Sequence, residues 1–115
     1  MASRFAQQFQ RTAVPNLVRQ FGETIGYFGS GGESRYISAI IVRDPAAILA
    51  EIGELLSQAL IIRVSNNSTD GIDATTIDTG TDRVEVAMVA GGEPEMRSVI
   101  RVLSDSNGFL RFLVQ

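Results

Sequence analysis

The chain has 115 residues, 44% of them hydrophobic, which suits a single domain with one modest core. It contains no His, Cys or Trp. That excludes a disulfide framework, a thiolate nucleophile, a Cys-ligated metal site and a Ser-His-Asp triad. The ten basic residues, all Arg, face 13 acidic ones, so the net charge of −3 lacks the basic excess by which general nucleic-acid binders neutralise phosphate.

The N-terminal stretch predicts a helical segment over 1–22. Phe5 and Phe9 lie one turn apart, and Val14, Leu17, Val18 and Phe21 repeat the helical spacing. Pro15 implies a kink or a break into two short helices, and Gly22 is a candidate C-cap. The apolar stripe either packs on the chain's own core or docks on a neighbouring subunit. Arg, Gln and Asn run through this stretch, so it lacks the apolar centre of a signal peptide, and no apolar run reaches the ~18 residues of a membrane span. A soluble protein made in a cytoplasm is expected.

From Thr24 the pattern changes to strands. Thr24 to Phe28, a Gly29-Ser30-Gly31-Gly32-Glu33 turn and Arg35 to Arg43 read as a β-hairpin that ends at Asp44-Pro45. The glycines lack the Lys-Ser/Thr pair that a phosphate-binding loop needs, so they are read as a turn. The stretch 44–58 is an excursion. Ala46 to Gln58 holds helix formers, with Ile48, Ile52, Leu55 and Leu56 near helical spacing and Gly53 inside. It is either a helix covering the core or a mobile loop carrying Glu51 and Glu54.

Ala59 to Ser65 is a strand with Leu60, Ile62 and Val64 on one face. A polar, turn-rich stretch follows to Thr81, and Arg83 to Val89 alternates with Val84, Val86 and Met88 on one face. Met96 to Leu103 and Phe109 to Gln115 complete the set. The last strand is apolar on both faces, so Phe109, Arg111 and Leu113 are expected to meet something besides the core. The sum is a mainly β domain over 24–115: a small antiparallel barrel or sandwich of about six strands with an N-terminal amphipathic helix.

Two further motifs carry possible chemistry. Asp78-Thr79-Gly80 after Ile77 is the triplet of aspartic proteases, in which two chains share one proton between paired carboxylates. Here it lies two-thirds along the chain behind a polar stretch, and Asp-Thr-Gly is also an ordinary turn. Asp70, Asp73, Asp78 and Asp82 could supply oxygens to a hard cation, but the EF-hand pattern is absent and capped turns are expected. No cofactor and no metal is expected.

The order of these features resembles the head–tail joining (head-completion or stopper) proteins of the tailed-bacteriophage neck. The resemblance is carried by the N-terminal segment SRFAQQFQRTAVPNLVRQFGETIGYF and the hairpin ending YISAIIVRDP. It continues in the run ALIIRVSNNSTDGIDATTIDTGTDRVEVA and the closing hairpin RSVIRVLSDSNGFLRFLVQ. It implies a virion structural protein without catalysis, repeated as a ring that joins portal and adaptor to the tail and helps to retain the genome. DNA then passes through the lumen without specific binding. Glu51 and Glu54 are expected on a loop facing that channel, and Phe5, Phe9, Phe109, Arg111 and Leu113 at subunit or partner interfaces. A tail-terminator or other connector ring is the alternative, and an aspartic protease dimer through Asp78 a remote one.

Overall fold

Strand β1 (Glu23–Phe28) and β2 (Ser34–Val42) form the expected hairpin, paired from Glu23↔Ala39 to Phe28↔Ser34. The computed structural model describes residues 17, 18, 20–105 and 108–115. Phe5 and Phe9 therefore lie outside the described residues. Of the N-terminal segment, Leu17, Val18, Gln20 and Phe21 are helical, and the Gly22 N–H closes the turn on the Val18 carbonyl at 2.8 Å.

Helix α1 (Pro45–Ile52) follows β2. Its start is encoded locally: Asp44 accepts from the Ala46 N–H at 3.1 Å, and Pro45 has no N–H to leave unsatisfied in the first turn. Gly53 stops it in the left-handed region (φ 75°), donating to the Leu49 carbonyl at 2.8 Å. The remaining strands are β3 (Leu60–Ser65), β4 (Arg83–Ala87), β5 (Pro94–Ser104) and β6 (Phe109–Val114).

The six strands close into an antiparallel barrel in the order β1-β2-β3-β6-β5-β4, with β4 paired back onto β1. Inward residues fill the interior, as a barrel this narrow requires. Ile25, Tyr27, Ile37, Ala39, Leu60, Ile62, Val64, Val84, Val86, Val99, Leu110, Phe112 and Val114 form one cluster. β5 breaks the strict alternation: the register shift between Val99 and Arg101 lets Val99 and Val102 both pack on the interior although an even number of residues separates them, and a second shift follows Val102.

The long β3–β4 connection is part of the core. Ile72 is fully buried inside the barrel cluster, with Ala74 and Ile77 packed against it, and the Ile72 N–H donates to the Ser65 carbonyl at 3.0 Å. Gly71 allows this entry, because a Cβ there would sit 2.1 Å from the Ser65 oxygen. Ile72→Ala is expected to cost about 3 kcal/mol in urea unfolding, the scale of an aliphatic truncation in a packed core. Thr79→Ala, exposed on the same connection, should change stability by less than about 0.5 kcal/mol.

Candidate functional site

The sequence motifs settle first. Asp78-Thr79-Gly80 forms a turn, with the Asp82 N–H donating to the Asp78 carbonyl at 3.0 Å and the Gly80 N–H to Val99 at 2.8 Å. Asp78 itself is exposed, its carboxylate 3.5 Å from the Ser30 hydroxyl. Asp73 caps Thr75, receiving its N–H at 2.9 Å and its hydroxyl at 2.8 Å, and these bonds hold its carboxyl below the usual range. Among the described residues, no group of three or more acidic side chains is arranged to hold a metal ion. Gly29–Glu33 closes the β1–β2 turn through the Gly29 N–H on the Glu33 carbonyl at 3.0 Å.

The residue of consequence in this region is Asp82, which is 1% exposed. It accepts from the Tyr27 hydroxyl, from the Ser30 N–H at 2.9 Å and from the Asp78 N–H at 2.9 Å. One carboxylate thus fastens strand β1, the β1–β2 turn and the β3–β4 connection together. Charge-assisted bonds of this kind are each worth roughly 1.5–3 kcal/mol. Burial, then the hydrogen bond and negative charge of Asp82, push the Tyr27 phenol well above its ordinary pKa.

Helix α1 packs against the outer wall of the barrel. Ile48 and Ala59 are buried with Ile61 and Leu113, flanked by Val42, Ile52, Leu56 and Leu103. Charges add to the seam: Glu51 pairs with Arg111, and Glu54 meets Arg101 at 2.8 Å. Arg97, 5% exposed, donates to the Gln58 carbonyl at 3.2 Å, and Gln115 donates to the Ser57 carbonyl at 2.8 Å. Gln58 is held at φ 59°, a left-handed conformation unusual outside glycine, within this tethered stretch.

Two expectations are corrected by this packing. The stretch 44–58 is not a free loop: Glu51 lies on a helix docked to its own barrel, Glu54 follows directly after it, and both carboxylates are paired with arginines of the same chain. Leu113 is not available to a neighbouring subunit, being fully buried under α1. The second apolar face of β6 is met by the chain's own helix. Arg111 is half-buried against Glu51, and Phe109 is half-buried opposite Ser65.

The wall formed by β2, β1, β4 and β5 is different. The register brings Tyr36, Gly26, Glu85 and Met96 into one row across the four strands, all on the outer face. At the usual strand spacing this row spans about 14 Å. Tyr36 is 75% exposed and Met96 50% exposed. Gly26 leaves a shallow floor over which the Phe28 ring folds: a Cβ at Gly26 would meet that ring at 3.0 Å and the Glu85 Cβ at 3.3 Å. Glu85 is half-buried in this row, and its side chain has no ion pair or hydrogen bond among the described residues. At the strand ends, Glu23 and Arg43 pair bidentately and Arg43 also donates to the Ala87 carbonyl, so the Glu23 carboxyl lies below its usual range.

None of these wall residues stood out in the sequence. Tyr36 sits in a strand where an aromatic residue is ordinary, and its alignment with Met96 depends on pairings between distant segments. Among the described residues no helix is long and apolar enough to cross a membrane. The chain matches no family model, no curated protein and no solved structure.

Tyr27→Phe is expected to lower stability at neutral pH by about 1–2 kcal/mol, as a hydroxyl to a buried carboxylate is lost. The Tyr27 pKa is raised on folding, so its contribution is fully present below pH 10.0, the ordinary phenol value, and is lost as pH rises beyond it. Urea unfolding from neutral to strongly alkaline pH should show the gap between the wild-type protein and Tyr27→Phe constant up to that point and narrowing above it.

Proposed function

We propose that this chain is a structural subunit of a tailed-bacteriophage neck, repeated around an axis to join the portal and adaptor of the DNA-filled head to the tail and to help retain the genome. Its work on this reading is assembly rather than catalysis. It is made in the host cytoplasm and ends in the virion, without contact with a membrane.

The observation that supports this best is the contrast between two outer walls. One wall is covered by α1 and the residues after it, where Leu49 and Leu55 are exposed to the outside. The other is bare and carries Tyr36, Phe28 and Met96 around Glu85. A ring of identical subunits needs two unlike, mutually fitting surfaces, and unlike walls on one barrel provide that premise. Closure of the barrel favours this mode of association, because each of the six described strands already has a neighbour on both sides and association is left to side chains. The acidic balance of the chain suits a channel through which DNA slides without adhering.

The test is genetic and visual. Interrupting the gene in a phage that carries it should leave filled heads that lose their DNA and lack tails, seen by electron microscopy. Tails of uncontrolled length would replace this reading with a tail terminator. Intact infectious particles would overturn it.

A further inference from the structure

The bare wall and the N-terminal segment have complementary properties. Residues 1–22 contain Arg4, Arg11 and Arg19 and no acidic residue, a charge of +3 in a chain whose total is −3. Phe5, Phe9, Ala13, Leu17 and Phe21 recur at four-residue intervals, a spacing close to one turn of a helix. The wall carries exposed Tyr36 and Met96 on either side of a half-buried carboxylate, Glu85, whose side chain has no ion pair or hydrogen bond among the described residues; Arg83, on the same face of β4, turns to the Ser98 hydroxyl instead. An unpaired carboxylate on an apolar surface is a site at which an incoming guanidinium gains more than on an open, solvated face.

The described end of that segment indicates whose wall it meets. Val18 is 1% exposed. Leu17 and Phe21, the last two members of the four-residue series, are 38% and 67% exposed. These two residues therefore offer apolar surface to the outside where the segment meets the barrel. A helix is about 10 Å wide, and the wall row of about 14 Å is broad enough to seat one. We propose that the row Tyr36–Gly26–Glu85–Met96 of one copy receives residues 1–16 of a second copy, with Phe5 and Phe9 on the apolar floor and Arg4 or Arg11 against Glu85.

The inference rests on the self-associating subunit proposed above and names the contact that links one copy to the next. A segment from one copy on the wall of another is a heterologous contact, which propagates in one direction and closes when the rotation between copies permits.

The native chain has no Cys, so introduced thiols report without background. The full-length double variant Phe9→Cys/Met96→Cys, treated with a short bismaleimide, should give dimers and higher products on a denaturing gel. Phe9→Cys/Thr79→Cys should give few. A product of monomer size with joined thiols would place the segment on its own barrel and overturn the proposal, as would no product above the Thr79 control. By sedimentation, Glu85→Arg should weaken self-association about tenfold, and Arg4→Glu/Arg11→Glu in the same chain should restore it. An unchanged constant would also reject the contact. If Glu85→Arg unfolds the chain, Glu85→Gln with the cross-linking readout takes its place. The outcomes separate from those of the neck reading. Cross-links with normal particles would leave this contact standing without the neck function, and tailless, leaking heads without cross-links would do the reverse.

Discussion

Pairing of β1 with β4 turns an open sheet into a barrel, and it is brief: Gly26↔Glu85, Tyr27↔Val84 and Phe28↔Arg83. Such a short ladder needs support from side chains, and Tyr27 supplies it. Its ring is fully buried in the barrel interior while its hydroxyl reaches Asp82, just before β4 begins. The same carboxylate gathers the Ser30 and Asp78 N–H groups, so the hairpin turn and the β3–β4 connection are fastened to the closing seam. Without closure, β1 and β4 would each present an edge, and the interior cluster would be open to water along one side.

Closure also divides the outside of the barrel. Over β2, β3, β6 and β5 the wall carries Val42, Ile61, Leu113 and Leu103, and α1 covers it. Over β2, β1, β4 and β5 no described residue covers the wall, and Tyr36, Phe28 and Met96 share it with Glu85, Arg83 and several Ser and Thr side chains. The first wall is a stability element within the chain. The second leaves exposed aromatic and Met side chains around a floor that Gly26 keeps low.

Use of Arg throughout has a structural counterpart. Arg43 spreads its donors over Glu23 and the Ala87 carbonyl, Arg97 reaches the Gln58 carbonyl from a buried position, and Arg111 and Arg101 tie the α1 region down. These are contacts in which a planar, multidentate cation serves several acceptors at once, whereas Lys would present a single point charge. Several of the basic residues thus act inside the subunit, and the carboxylates of Glu51 and Glu54 are balanced there.

Local chemistry was enough to read most of the elements. Alternation in Leu60–Ser65 and Arg83–Ala87 and the glycine-rich turn after Phe28 act within a few residues and were legible. Asp44-Pro45 by itself marks only the end of a strand, and the stretch after it stays open between a covering helix and a loop, because what decides it is packing on distant strands. The two apolar faces of β6 were legible too, but not what covers the outer one. That answer depended on α1, some 60 residues earlier, folding back onto Leu113. Ile72 inside the barrel, the register shifts in β5 and the Asp82 bonds share that dependence. So does the row of Tyr36, Gly26, Glu85 and Met96, because strand pairing assembles it from four segments distant in sequence. Composition and periodicity alone settled that this is a β-rich chain without His or Cys chemistry. Which walls are covered and which are bare was decided only when the strands closed, since exposure belongs to the assembled barrel and not to any one segment.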